Sequence, residues 1–191
     1  RSSSAASDVY KRQIKEFVDF GTGSGRMLEL FGPRATKAVG FDLNAEMLAL
    51  ARMRLEELSL TNCQVRLGDV RLLPLKSASA DLIIIHQLLH FLDDPAAAIS
   101  EAARVLAPNG LLMVVDFAPH EIETLRENHE HRRLGFSKDE ILRIFDEVDI
   151  MSHDYVHLDK RGTKLSPSNS LTVTIWSVSY THLTLPTRIF V

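Results

Sequence analysis

The stretch that decides the fold reads Glu16-Phe17-Val18-Asp19-Phe20-Gly21-Thr22-Gly23-Ser24-Gly25. A short apolar run closes on an acidic residue, and three glycines follow at alternate positions before a helix-like segment that begins at Arg26. This order predicts a strand, a tight turn and a helix. Glycines adopt backbone angles closed to other residues and let the backbone approach a ligand. The N–H groups that open the helix then face whatever the turn holds, so we predict a cofactor-binding turn.

The spacing of the glycines separates two classes of cofactor site. The dinucleotide fingerprint requires glycines at its first, third and sixth positions. Counted from Gly21 the sixth position is Arg26, and counted from Gly23 it is Leu28, so neither frame fits. The pattern Asp-x-Gly-x-Gly-x-Gly over residues 19–25 instead resembles the first motif of class I S-adenosylmethionine-dependent methyltransferases. An ordinary strand-to-helix turn without a ligand is the alternative interpretation.

A second acidic residue follows the glycines at the expected distance. Asp42 closes a predicted strand over residues 37–42, where doubly wound folds place the acid that accepts hydrogen bonds from ribose hydroxyls. An acid after a strand can also cap a helix. Asn44 is the better cap for the predicted helix over residues 45–58, so we expect Asp42 to be free to bind.

The resemblance implies further cofactor contacts after the third strand, which we predict over residues 63–68. Asp69 would hold the adenine amino group, and Val70 would offer its backbone N–H and pack near the ring. Plain turn chemistry is the alternative for the Gly-Asp pair. The full set of cofactor-binding residues implied by the resemblance is Asp19, Gly21, Thr22, Gly23, Gly25, Asp42, Leu43, Met47, Asp69, Val70, His86 and Gln87.

The remaining pattern predicts an α/β fold. Residues 81–86 form a strand-like segment whose continuous apolar run, residues 82–85, is typical of a central parallel strand buried on both faces. A capped helix starts at Asp94, and its end, residues 101–110, resembles the family's Arg-Val-Leu-x-Pro-Gly-Gly signature with Asn109 at the first glycine. Asparagine tolerates the left-handed conformation, so we expect a turn over residues 108–110 before the next strand, residues 111–117.

The C-terminal part predicts one more helix and two strands. Ser137 begins a capping box for a helix over residues 141–148. Residues 149–158 and 171–177 read as strands, the second alternating apolar with polar or amphipathic positions. The resemblance therefore implies a Rossmann-like, seven-stranded class I methyltransferase sheet with helices on both faces and a C-terminal antiparallel hairpin.

Methyl transfer from a sulfonium is an in-line displacement, so the protein must mainly position and desolvate the reactants. A base is needed only if the nucleophile arrives protonated. The candidates are His86, His90 and His120, with His90 first because it lies four residues past His86 on the segment that leaves the central strand. For each of them a packed or surface histidine is the alternative.

The histidines and arginines allow two further interpretations, a metal site and an anion-binding site. Three imidazoles could bind a metal, but no suitable carboxylate accompanies them, and we predict no metal. Arg132 and Arg133 could clamp an anionic substrate, with a solvated charged face as the alternative.

The composition limits the class of protein and its cellular compartment. The 191 residues, 45% hydrophobic and 25% charged, fit one globular domain, and the net charge of −3 gives no general reason to bind nucleic acid or an anionic membrane. No apolar run has the length of a membrane span. The single Cys63 excludes an internal disulfide, fits a reducing cytoplasm and argues against arsenite methylation, which needs several thiolates.

The two ends look foreign to the domain. Residues 1–13 and 178–191 resemble translated sequencing-adaptor read-through, so we assign the domain to residues 14–177. Natural disordered tails are the alternative. The family commonly closes its cofactor cleft with helices before the first strand, which this chain lacks, and we expect weaker cofactor retention as a result.

The leading functional hypothesis is methyl transfer from S-adenosylmethionine to a small-molecule acceptor. The chain looks similar to the methyltransferase half of bacterial regulators fused behind an arsenic-repressor-type winged helix, and to quinone-biosynthesis C-methyltransferases. The runner-up is therefore a non-catalytic S-adenosylmethionine-sensing module of a transcriptional regulator, with nucleic acid bound only through an upstream winged helix. A dehydrogenase is third, because the glycine spacing does not fit.

Overall fold

The structure, a computed structural model, describes residues 14–123, 131–148, 153–158 and 172–179. Residues 1–13 and 180–191, assigned above to foreign tails, lie outside these ranges. Seven strands form one sheet in the order β3-β2-β1-β4-β5-β7-β6. They are β1 Ile14–Phe20, β2 Ala35–Asp42, β3 Cys63–Leu67, β4 Ala80–His86, β5 Leu106–Phe117, β6 His153–Leu158 and β7 Val173–Ser179. The predicted seven-stranded sheet is confirmed.

The sheet is parallel except at one edge. β1 pairs in parallel with β2 and with β4, β3 extends the sheet beyond β2, and β5 pairs in parallel with β4. β7 runs antiparallel to both β5 and β6, which is the predicted C-terminal hairpin. The chain order reverses between β1 and β4, and ligands of open α/β sheets bind at such a point, beyond the carboxyl ends of the strands.

Helices cover both faces of the sheet. They are α1 Arg26–Phe31, α2 Ala45–Glu57, α3 Pro95–Val105 and α4 Lys138–Glu147. Because side chains alternate along a strand, Ile83 and Ile84 of β4 join different hydrophobic clusters. The first cluster contains residues of α3 and α4, and the second contains residues of α1 and α2. Among the described helices, none is long and apolar enough to cross a membrane.

The predicted helix caps are confirmed. The Asn44 side chain accepts from two backbone N–H groups of α2, and the Asp94 side chain accepts from one of α3. The Ser137 hydroxyl accepts from the Glu140 N–H. Glu140 does not complete the capping box with its own carboxylate, which instead pairs with Arg133 at 2.8 Å.

Two expectations about the strands are wrong in detail. Asn109 is left-handed as predicted, with φ 62°, but residues 108–110 lie inside β5 as an irregularity in its pairing with β4. On β7, Thr174, Trp176 and Val178 are buried, whereas Val173 and Ile175 are only half-buried. Trp176 and Val178 belong to the cluster that contains residues of α3 and α4, so the alternation is kept but the face that carries Trp176 is the buried one. β7 also continues to Ser179, two residues past the expected domain boundary.

Candidate active site

The glycine turn leaves the carboxyl end of β1 and is held against β2. Gly21, Gly23 and Gly25 all have positive φ, at 71°, 50° and 81°. The N–H groups of Gly21 and Thr22 both donate to the Phe41 carbonyl oxygen, at 2.8 and 2.9 Å. These bonds fix the turn before any ligand arrives. The turn predicted from the sequence is therefore present and preorganised.

The glycines serve different purposes. A Cβ at Gly21 would lie 2.6 Å from a methyl carbon of Leu88, so this glycine allows the segment after β4 to pack on the turn. A Cβ at Gly23 would meet only the methyl carbon of Met47, at 3.6 Å. Gly23 thus presents the most open backbone of the turn, with the predicted contact residue Met47 beside it.

Asp19 is the buried acid beneath the turn. Its side chain is 1% exposed, and its Oδ2 accepts a 2.6 Å hydrogen bond from the Thr22 hydroxyl. Oδ1 is buried and accepts no hydrogen bond within the described part of the chain. Burial, together with the nearby charge of Asp42, raises the pKa of Asp19 to about 7 despite the Thr22 bond. A buried acceptor of this kind fits a ligand that brings a donor or a positive charge.

Asp42, at the end of β2, was expected to be free to bind a ligand, but its carboxylate already accepts hydrogen bonds from the protein. Its Oδ2 accepts from the Gly23 N–H at 2.8 Å, and its Oδ1 accepts from the Asn44 N–H at 2.9 Å. The carboxylate therefore braces the glycine turn. Each carboxylate oxygen retains a further lone pair, so ribose binding by Asp42 stays a prediction. The adjacent Leu43 is 64% exposed beside this carboxylate.

Asp69 has a partner that the sequence analysis missed. Arg71 holds both carboxylate oxygens, with Nε–Oδ1 at 2.9 Å and Nη2–Oδ2 at 2.5 Å. This ion pair keeps the pKa of Asp69 below its ordinary value. The only sequence signal was the Asp-x-Arg spacing. Val70 is buried in the core. If Asp69 binds adenine as predicted, its carboxylate must bind Arg71 and the adenine at the same time.

The loop that follows Asp69 is anchored by the signature segment of α3. Buried Glu101 accepts from the Leu73 N–H at 2.7 Å and from Arg104 at 2.6 and 2.7 Å. Burial raises the pKa of Glu101, but the bonds from Arg104 and Leu73 outweigh it and hold the pKa below its ordinary value. Arg104 also donates to the carbonyl of Leu75. The signature residues therefore hold the loop between β3 and β4 in place.

The chain turns abruptly where β4 ends. His86 lies opposite Val115 of β5, and Gln87 donates its N–H to the Val115 carbonyl at 2.7 Å. Gln87 has φ 50°, a left-handed conformation that is uncommon for a residue other than glycine and concentrates at functional sites. His86 and His90 are therefore not on one helical face, because the segment between them is not an α-helix.

His90 lies in a buried cluster. It is 2% exposed, within a 3₁₀ turn at Leu89–Phe91, and its Nδ1 lies 2.7 Å from Asp116 Oδ1. The ring of His131 packs against it at a tilt of 37°, with ring centroids 4.2 Å apart. His90 was a candidate from the sequence, whereas Asp116 and His131 were not. No local spacing links residues so far apart in the chain.

His120, the third candidate, lies at the border of this cluster. Its Nδ1 accepts from the Ile122 N–H at 3.3 Å, and its Nε2 is buried without a hydrogen bond in the described residues. Burial, reinforced by the charge of His90, lowers the pKa of His120. His120 is therefore a neutral imidazole near neutral pH.

The arginine pair is engaged by protein carboxylates. Arg132 pairs with Asp93 at 2.7 Å, and Arg133 pairs with Glu140 at 2.8 Å. These pairs favour a structural role over an anion clamp. Among the described residues no group of three or more His, Cys, Asp and Glu side chains is placed to hold a metal ion.

The fold and site together define an α/β domain with a preorganised glycine turn at the carboxyl edge of its sheet, where open α/β sheets bind ligands. The site residues fit S-adenosylmethionine, because Asp19 offers a buried acceptor to its cationic end and Gly23 offers open backbone. The family model described as "Methyltransferase domain" matches residues 18–114, just over half of the chain. The chain therefore belongs to this methyltransferase family.

Two curated relatives agree with this assignment. The uncharacterized methyltransferase YcgJ of Bacillus subtilis is 31% identical over 117 residues, covering 60% of this chain and 46% of the relative. A protein of Mycolicibacterium smegmatis named as a "probable S-adenosylmethionine-dependent methyltransferase" is 28% identical over 120 residues, covering 60% and 45%. In both cases the match spans less than half of the relative's length.

Solved structures show the same fold. The crystal structure of Bacillus subtilis YcgJ superposes with a TM-score of 0.73 at 18% identity, covering 92% of this chain and 97% of that one. The Haemonchus contortus phosphoethanolamine N-methyltransferase 2, solved with S-adenosylmethionine, gives a TM-score of 0.73 at 13% identity, covering 88% and 49%. The predicted methyltransferase fold is confirmed.

Proposed function

We propose that this chain transfers a methyl group from S-adenosylmethionine to a small-molecule acceptor. The observation that carries the proposal is the preorganised glycine turn of a methyltransferase-family domain, with the buried Asp19 oxygen beneath it and Asp42 beside it. The modest negative charge of the chain supports a small molecule over nucleic acid.

The residues of the site divide the binding task. Asp19 Oδ1 would accept from the cationic end of the cofactor, and Asp42 would accept from the ribose hydroxyls through its remaining lone pairs. Thr22, Gly23 and the flanking Leu43 and Met47 would line the cofactor, with Asp69 and Val70 at the adenine. When bound, the cofactor supplies an electrophilic methyl group on a sulfonium, so the protein must mainly hold the acceptor in line and exclude water.

The acceptor would lie beyond the carboxyl ends of β4 and β5. His86, Gln87, His90 and His120 come from the segments that leave these two strands, and Leu88 packs this region against the glycine turn. The acceptor would therefore meet the cofactor between the turn and the histidines.

Calorimetric titration of the full chain with S-adenosylhomocysteine tests the cofactor assignment. We expect binding that NAD does not compete with, and an affinity reduced about tenfold or more in Asp42→Asn, because hydrogen bonds to a charged group contribute about 1.5–3 kcal/mol. Asp94→Asn is the matched control, since it changes an exposed helix-capping carboxylate away from the turn. Absence of binding by the folded protein, or competition by NAD, would contradict the proposal.

The regulator hypothesis predicts a different outcome of the same experiments. A sensing module would bind S-adenosylhomocysteine but transfer no methyl group to any acceptor, and its gene would encode an upstream winged helix. We also place the protein in the cytoplasm, on the ground that its single buried thiol, Cys63, suits a reducing compartment.

A further inference from the structure

A buried histidine–carboxylate pair joins the two strands that border the expected acceptor site. Asp116, fully buried near the end of β5, accepts three bonds, from the Leu89 N–H at 2.9 Å, from the Phe117 N–H at 2.8 Å and from His90 Nδ1 at 2.7 Å. Every bond joins Asp116 to a donor, so the carboxylate is satisfied as an anion. A buried carboxylate held in this way is costly unless its partners stay in place.

This geometry fixes the state of the imidazole. A carboxylate oxygen 2.7 Å from Nδ1 favours the neutral tautomer of His90 that carries its proton on Nδ1, which leaves a lone pair on Nε2 at the opposite edge of the ring. The backbone holds the ring too, since the His90 carbonyl accepts from the N–H groups of Arg132 and Arg133 at 2.9 and 3.2 Å. Both the side chain and the backbone of His90 are therefore held by contacts with the protein.

The surroundings suit proton transfer in a dry site. Phe91, Phe117 and His131 lie around the His90 ring, with centroid separations of 4.1, 5.0 and 4.2 Å. The titratable groups facing His90 are Asp116 from β5, His131, whose tilted ring lies beside it, and His120, whose pKa the charge of His90 lowers. The Asp116 carboxyl, with Oδ1 2.7 Å from His90 Nδ1, is placed to stabilise positive charge formed on His90.

The position of the pair relative to the cofactor follows from the chain between them. Leu88, two residues before His90, packs against Gly21 of the glycine turn, and Gln87 bonds to β5 in a left-handed conformation. His90 thus lies on the short segment after β4 that packs against the glycine turn, where we expect the cofactor.

We propose that His90 is the base for the acceptor and that Asp116 is the residue that positions it, so the acceptor is a hydroxyl compound or carbon acid whose nucleophilic atom arrives protonated. This inference rests on the proposed function. In the step, the acceptor lone pair forms the bond to the methyl carbon and the carbon–sulfur bond breaks with its electron pair on sulfur. The acceptor proton passes to His90 Nε2 and then to water. This pair would not accelerate methyl transfer to acceptors whose nucleophilic atom carries no proton, such as tertiary amines.

The first test reads the tautomer directly. In ¹⁵N-labelled full-length protein, assigned with His90→Gln, we expect His90 to carry its proton on Nδ1 at pH 8, and Asp116→Asn to abolish that preference. Asp93→Asn, an exposed acid on the same segment, is the matched control and should leave the tautomer unchanged. A His90 proton on Nε2 in the wild type would overturn the inference.

The second test measures methyl transfer to three probes: catechol, acetylacetone and N,N-dimethylaniline. We expect transfer to catechol or acetylacetone that falls about 100-fold in kcat and changes its pH profile in Asp116→Asn, with S-adenosylhomocysteine affinity kept within twofold. Product analysis distinguishes oxygen from carbon methylation. Transfer to the amine at equal rates in wild type and variant would overturn the inference. Failure to bind S-adenosylhomocysteine would instead overturn the proposed function.

Discussion

Asp19→Asn tests whether the buried carboxyl of the candidate cofactor site lowers the free energy of unfolding at neutral pH. Asp19 is buried with one oxygen lacking a hydrogen bond, and its pKa is raised from an ordinary 3.8 to about 7. The folded protein therefore binds more protons at this site than the unfolded chain does between these two pH values. Stability from this residue is greatest below about pH 3.8 and is lost as the pH rises to about 7.

The magnitude follows from the width of that pH interval. At about 1.36 kcal/mol per pH unit, the rise from 3.8 to about 7 corresponds to about 4 kcal/mol of unfolding free energy lost by pH 8. Asparagine has nearly the same shape and carries no charge, and its oxygen can still accept from Thr22. We therefore expect Asp19→Asn to gain stability relative to the wild type as pH rises, by about 4 kcal/mol between pH 4 and pH 8.

Urea unfolding of both proteins at pH 4, 5, 6, 7 and 8 measures this difference, and S-adenosylhomocysteine titration of the same samples should show weaker binding by the variant. Asp94→Asn is the control, because Asn and Asp are equivalent helix caps and Asp94 is exposed, whereas Asp19 is buried. A difference for Asp19→Asn that is independent of pH would refute the reasoning. So would a variant that becomes less stable relative to the wild type as pH rises.

Three further variants test contacts that hold the site. Arg71→Gln should release the carboxylate of Asp69 and strengthen S-adenosylhomocysteine binding a few-fold in calorimetry, and weaker binding would contradict an adenine-binding role for Asp69. Arg104→Met should lower the unfolding free energy by about 2–3 kcal/mol in urea, because buried Glu101 loses its ion pair, whereas an unchanged midpoint would show that the pair is dispensable. Gly40→Ala should cost about 1–3 kcal/mol by the same assay, because its methyl group would overlap the threonine side chain of the glycine turn. A neutral result there would mean that the turn can shift.

Much of the fold could be predicted because its signals are local. The caps at Asn44, Asp94 and Ser137 act on N–H groups two or three residues away, and the left-handed conformation of Asn109 depends on its own side chain. The alternating glycines similarly require only their own backbone angles. Such features are specified within a few residues, so the sequence alone is sufficient to predict them.

The face that a strand buries was less predictable. Alternation on β7 shows where its two faces lie, but which face becomes the core depends on the elements that pack against it. Trp176 and Val178 are buried because they pack in the cluster that contains residues of α3 and α4. Both faces of β7 carry apolar side chains, so the sequence pattern alone does not show which face is buried.

The class of this protein follows from local sequence features: a strand, an alternating-glycine turn and an acid some twenty residues later predict a cofactor-binding α/β domain. The surroundings of those residues depend on how the chain folds. The tertiary structure buried Asp19 and raised its pKa, engaged Asp42 with the turn, and brought Asp116 to His90 across 26 positions of chain. The physical reason is that burial and hydrogen bonding between distant residues arise from strand pairing and packing, which no local spacing encodes.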